Sequence, residues 1–124
     1  PSCNGIIYKG TLEHDMLPDY YRAADVFCLP TLNEGCCNAI IEATFCGLPV
    51  ISSNEPFNDE ILDENCSIRI DTKKVNEIEK AINIIYNDSD LRIKLSKGAL
   101  KKAKNFTIQT RAKKILEFMK SKIK

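Results

Sequence analysis

Apolar residues along this chain switch between two spacings, and the switches mark its elements. Continuous or alternating runs predict four strands: Ile6-Ile7-Tyr8, Val26-Phe27-Cys28-Leu29, Val50-Ile51 and Ser67-Ile68-Arg69-Ile70. The second, closed by Pro30, reads as a strand buried on both faces. Thr11 to Leu17 reads as a loop, and Pro18 suits the first turn of a helix over 18–24, where its missing N–H costs nothing. That helix turns Tyr20, Tyr21, Ala23 and Ala24 toward packing surfaces. Asn38 caps a nearly all-apolar helix (Ala39, Ile40, Ile41, Ala43, Phe45, Cys46) that stops at Gly47, the residue type that ends helices in a left-handed conformation. After Ser53 the segment NEPFNDEILDEN is acidic and irregular, with one helical turn from Asp59 to Leu62.

From there the spacing is helical. Val75, Ile78, Ala81, Ile82 and Ile85 predict an amphipathic helix over 74–86. Ser89 caps the next, with Leu91, Leu95, Ala99 and Ala103 on one side and Gly98 as a weak point. Thr107 caps the last, whose buried stripe is Ile108, Ala112, Ile115, Leu116, Met119 and Ile123. Strands alternating with helices give a parallel α/β sheet. With four strands and no opening β-α unit, the sheet reads as the second part of a Rossmann-like domain whose first part lies upstream. Ligands of such sheets sit beyond the carboxyl ends of the strands, and the turn from Thr31 to Cys37 follows the carboxyl end of Val26–Leu29.

Composition changes this picture little. A chain of 124 residues is one domain or part of one, long enough to bury about two-thirds of its unfolded surface. No apolar run approaches the ~18 residues of a membrane span. The first residue is Pro1 rather than Met, which leaves an upstream part open. The six cysteines form no C-x-x-C pair and His14 is the single histidine, a set that disfavours a zinc site. Cys28 and Cys46 read as small core residues of a reducing compartment. Charge is unevenly spread: Lys97 to Lys124 carries ten Lys/Arg and one acid, against eight bases and sixteen acids before it. A solvated lysine face accounts for this, and an anionic partner remains the other reading.

The candidate chemistry is carboxylate chemistry. Glu42 interrupts the apolar helix one turn after Asn38, on the same face, and Glu34 lies in the turn before that helix. A buried carboxylate is costly without partners, so this pair suggests a ligand rich in hydroxyls. From the residues alone, Glu42 as a solvated or capping group and Glu34-Gly35 as an ordinary turn stay open. The vicinal Cys36-Cys37 pair lacks a second thiol pair or a histidine nearby, which disfavours metal or redox chemistry.

Three blocks carry a resemblance. A-A-D-V-F-C-L-P-T (Ala23 to Thr31), E-G-C-C-N-A-I-I-E-A (Glu34 to Ala43) and C-G-L-P-V-I-S (Cys46 to Ser52) resemble the C-terminal, donor-binding domain of GT-B fold, family-4 (group 1) glycosyltransferases. Gly10, Leu17-Pro18 and Tyr21 match the preceding loop and helix, so the resemblance covers nearly the whole chain as a single partial domain. It implies that Glu34 contacts donor-sugar hydroxyls and serves catalysis, and that Glu42 binds the ribose hydroxyls. Backbone from Gly35 through Cys36 and Cys37 to Asn38 would then approach the sugar and diphosphate. His14 reads as a surface loop residue whose position near Gly10 allows a contact to nucleotide or sugar. The physics agrees: a helix N-terminus offers free N–H donors to phosphate, and Gly35 permits close backbone approach.

The implied function is the donor-binding part of a retaining glycosyltransferase that moves a hexose-type sugar from a nucleotide diphosphate sugar to a glycan or lipid-linked acceptor. No cofactor, protein-bound metal or nucleic acid is implied. The implied location is cytoplasmic, at the inner face of the membrane, with the basic last helix toward an anionic membrane or the acceptor domain. A non-catalytic nucleotide-sugar-binding module is the alternative. The sequence departs from the family in Cys36-Cys37, where Phe followed by Gly or Pro is common, and in Thr44-Phe45, which replaces Met-Ala. The family's Arg/Lys pair for the diphosphate and its N-terminal acceptor domain would both lie upstream.

Overall fold

The computed structural model of this chain describes residues 4–32 and 38–122. Three parallel strands, β1 (Phe27–Leu29), β2 (Val50–Ser53) and β3 (Ser67–Ile70), form a sheet in the order β1-β2-β3. Five α-helices accompany them: α1 (Leu17–Ala23), α2 (Asn38–Phe45), α3 (Val75–Asn87), α4 (Ser89–Ala103) and α5 (Ile108–Lys122). The central strand β2 is buried throughout, as a parallel strand covered on both faces should be. Its side chains alternate between two apolar clusters. Val50 joins Ile40, Ile61, Leu62, Cys66 and Ala99, whereas Ile51 joins Ile70, Ala81, Ile85 and Leu95.

Local chemistry sets the element ends. Gly47 takes φ +72° after α2; its N–H donates to the Thr44 carbonyl and that of Leu48 donates to Ala43, the paired pattern of a Schellman stop. Arg92 closes α3 by donating to the carbonyls of Ile85 (2.6 Å) and Tyr86 (2.8 Å), a cation placed at the negative end of a helix. The Thr107 hydroxyl caps α5, accepting from the Thr110 N–H at 3.1 Å. Helix α4 crosses beneath the amino ends of β2 and β3, with Gly98 against the backbone of Asn65 and with Ser96 and Leu100 against Gly47.

Several expectations need correction. Ile6–Tyr8 is not a strand: it pairs with no described strand and its side chains are exposed. Strand propensity expresses fit to a half-buried pleated surface, and nothing described covers this run. For the same reason β1, at the edge of the described sheet, is half-buried, and its Cys28 is exposed. Cys46 is half-buried, and the core thiol is instead Cys66. Tyr20, Ala23 and Ala24 are exposed, while Tyr21 packs edge-on against Phe27. The helical turn expected from Asp59 to Leu62 is present, its Leu62 N–H donating to the Asn58 carbonyl at 2.9 Å, and a 3-10 turn over Pro56–Asn58 precedes it. Asp88, not Ser89, caps α4, its carboxylate accepting from the Leu91 N–H at 3.0 Å. Gly98 is a packing requirement rather than a weak point. The α5 stripe is not buried: Ile108, Ile115, Leu116 and Met119 are all more than half exposed, because no described element lies over it. Ile123 lies outside the described residues.

Candidate donor-binding site

Helix α2 starts after the carboxyl end of β1, and Asn38, its first residue, is exposed there. Glu42 lies one turn further on. Its Oε2 accepts from the Tyr21 hydroxyl at 3.1 Å, and His14 Nε2 stands 3.8 Å from its Oε1. Tyr21 comes from α1, and its ring is fixed against Phe27 of β1 with centroids 5.8 Å apart. The carboxylate is therefore aimed by a neutral donor and left partly open, with 36 % of its side chain exposed. The expectation of a buried carboxylate is corrected to a half-buried one. A carboxylate so placed can accept from two adjacent hydroxyls.

Glu34, Gly35, Cys36 and Cys37 lie outside the described residues. The backbone leading to them ends at Leu32, and there a polar network surrounds the carboxyl ends of the strands. Ser52 Oγ donates to the Leu29 carbonyl at 2.7 Å and Ser53 Oγ donates to that of Thr31. Asn58 Nδ2 donates to Ser52 Oγ and to the Ser53 carbonyl. On β3, Arg69 donates to Asp59 Oδ1 at 2.6 Å and to the Glu55 carbonyl at 2.7 Å. Both bonds come from Nη2, and Asp59 offsets the charge of that guanidinium.

Sequence reasoning brought Glu42 and Asn38 to one helix, as found, and kept His14 within reach of the same site. It missed the part Tyr21 plays toward Glu42 and the network of Ser52, Ser53 and Asn58. The one signal for the latter was a pair of hydroxyls ending an apolar strand run. Among the described residues no group of three or more His, Cys, Asp or Glu side chains is disposed to hold a metal. No described helix is long and apolar enough to cross a membrane.

The sequence model of the family described as glycosyl transferases, group 1, matches residues 3–102. A D-inositol 3-phosphate glycosyltransferase of Salinispora tropica is 30 % identical over 104 residues, covering 83 % of this chain and 22 % of that protein. An Escherichia coli enzyme named UDP-Gal:alpha-D-GlcNAc-diphosphoundecaprenol alpha-1,3-galactosyltransferase is 35 % identical over 106 residues, covering 80 % of this chain and 26 % of that protein. Among solved structures, sucrose-phosphate synthase from Thermosynechococcus elongatus superposes with a TM-score of 0.80 at 25 % identity, over 93 % of this chain and 29 % of that one. The chain thus spans less than a third of the length of each of these relatives.

Proposed function

This chain belongs to the group 1 glycosyl transferases and has the α/β fold of their GT-B C-terminal domain, and on that premise we propose that it forms the donor-binding part of a retaining glycosyltransferase. The observation that carries the proposal is the Glu42 carboxylate: half-open, one turn inside a helix that starts at the carboxyl end of a parallel strand, and aimed by Tyr21. In this reading Glu42 accepts from the ribose hydroxyls of a nucleotide diphosphate sugar. Glu34 accepts from hydroxyls of the transferred hexose and is the catalytic group that touches the donor. Backbone N–H groups of Gly35, Cys36, Cys37 and Asn38 face the sugar and diphosphate.

The chemistry asks these groups to stabilise a departing diphosphate while the sugar is held for attack on the same face. Fixed N–H donors at a helix start serve the developing charge. No protein-bound metal enters this reading. Cations from elsewhere in the full-length protein complete the site, together with the domain that binds the acceptor. One relative's name pairs a UDP-linked sugar with a diphosphoundecaprenol-linked acceptor, and another's an O-antigen chain with mannosyl transfer. Both support a polysaccharide or lipid-linked acceptor. Residues 1–124 alone should bind nucleotide weakly and transfer no sugar, because near-attack geometry requires the acceptor to be held as well.

The deciding experiment combines calorimetric titration of the full-length protein with UDP, GDP and ADP sugars and peptide-resolved alkylation. Binding of one nucleotide sugar is expected to slow the alkylation of Cys36 or Cys37. Burial pushes the Cys66 thiol up, so that residue reacts slowly with or without ligand and serves as the internal reference. Equal labelling of Cys36 and Cys37 at saturating nucleotide sugar would remove this turn from the donor site.

A further inference from the structure

The bonds that hold β1 to β2 change kind at the end of the strands. Backbone register runs Phe27↔Val50, Cys28↔Ile51 and Leu29↔Ser52, and beyond it side chains take over. Ser52 Oγ donates to the Leu29 carbonyl at 2.7 Å, and Ser53 Oγ donates to the carbonyl of Thr31. Behind both, Asn58 Nδ2 donates to Ser52 Oγ at 3.1 Å and to the Ser53 carbonyl at 2.8 Å. All three side chains are buried to within 1 % of completeness. Meanwhile the Thr31 N–H donates to the Leu29 carbonyl at 3.1 Å, so the chain bends away from the sheet at Pro30 in a three-residue turn.

Stability alone does not explain this choice of residues. Val50 and Ile51, equally buried one step earlier in the strand, are apolar, and burying hydroxyls and an amide confers no advantage over apolar packing unless their bonds fix something. Each serine reaches a carbonyl of the segment leaving β1, and Thr31 stands three residues before Glu34. We infer that Ser52, Ser53 and Asn58 are positioning residues that clamp the exit of β1 and so fix the chain three residues before Glu34. This rests on the donor-site reading. The clamp acts through Thr31 and Leu29 and touches no substrate. Glu42 sits on α2, aimed by Tyr21 independently of the clamp. Loosening the clamp therefore lowers transfer more than nucleotide affinity, part of which stays with Glu42.

Ser53→Ala in the full-length protein tests this, with Ser53→Thr as the rescue that restores the hydroxyl. Assayed well below its melting temperature, Ser53→Ala is expected to lose about tenfold or more in kcat, as misplaced catalytic groups do. Nucleoside diphosphate affinity should fall by a smaller factor than kcat, since Glu42 is left in place. Without ligand, Cys36 and Cys37 should alkylate several-fold faster, and Ser53→Thr should reverse both changes. Ser52→Ala, which frees Leu29 rather than Thr31, is expected to show the same pattern at smaller size and serves if Ser53→Ala does not fold. A lowered melting temperature with unchanged kcat and unchanged labelling would make the network purely structural and overturn the inference. Faster labelling at full turnover would also overturn it. Should the wild-type protein transfer no sugar at all, the donor reading fails by itself; faster labelling in Ser53→Ala then still supports the clamp, and unchanged labelling overturns it.

Discussion

Gly98→Ala is expected to destabilise the domain severely, although alanine usually strengthens a helix interior by about 1 kcal/mol over glycine. A Cβ on Gly98 would stand 1.8 Å from the Asn65 carbonyl oxygen and 2.6 Å from its carbon. Both are backbone atoms just ahead of β3, so no side chain can swing aside. Helix α4 would have to lift off the amino end of the sheet, and that helix supplies Leu95 to one apolar cluster and Ala99 to the other. Overpacking ordinarily costs about 1–3 kcal/mol; with a rigid backbone obstacle under a helix shared by two clusters, the cost should reach or exceed the upper end. Chemical denaturation checks the sign directly. A midpoint equal to or above that of the wild type would refute the close approach of α4 to Asn65.

The second large effect concerns the two glutamates, which should fail in different ways. Glu42→Gln keeps the shape and removes the charge that, in the proposed reading, accepts from the ribose hydroxyls. It should weaken nucleoside diphosphate binding by about 1.5–3 kcal/mol, the range for hydrogen bonds to a charged group, or roughly tenfold to somewhat over a hundredfold. Stability should hardly move, since the side chain is half-open and the amide still accepts from Tyr21. Glu34→Ala should instead lower turnover strongly and leave nucleoside diphosphate affinity nearly intact, because in the proposed reading its contacts are to the transferred sugar. Calorimetry with the nucleotide and a transfer assay on both variants separate the two roles. Equal losses of affinity in both would move Glu34 onto the nucleotide, and a large drop in melting temperature at unchanged affinity would make Glu42 structural.

Much of the fold could be read along the chain because its determinants are local. The period of apolar residues marked β2, β3 and α2 through α5, Gly47 marked a helix stop by its conformational freedom, and Thr107 marked a helix start by its hydroxyl. What escaped reading depends on partners distant in sequence. Gly98 looked like a flaw until Asn65, over thirty residues earlier, was found beneath it. The stripe of α5 and the run Ile6–Tyr8 were patterned for burial, yet pattern does not say whether a covering element is at hand. Asp88 and Ser89 are both good caps, and the choice turned on where the chain leaves α3. At the site, Glu42 was legible as an acid among apolar neighbours. Ser52 and Ser53 were not, because their bonds reach carbonyls 22 and 23 residues away. Glu34 through Cys37 lie outside the described residues, so the readings made there rest on sequence.

The sharing of α4 between the two apolar clusters also governs how the domain comes apart. Ala99 belongs to one apolar cluster and Leu95, one turn earlier, to the other, so neither cluster can open while α4 stays seated. Amide protons of β2, α2 and α3 should therefore exchange with solvent through one common opening, with nearly the same free energy, rather than layer by layer. Helix α5, with no buried residue of its own, stands outside that unit and should exchange orders of magnitude sooner. The domain should then behave as a single cooperative block keyed by one helix, with α5 melting and re-forming without disturbing it.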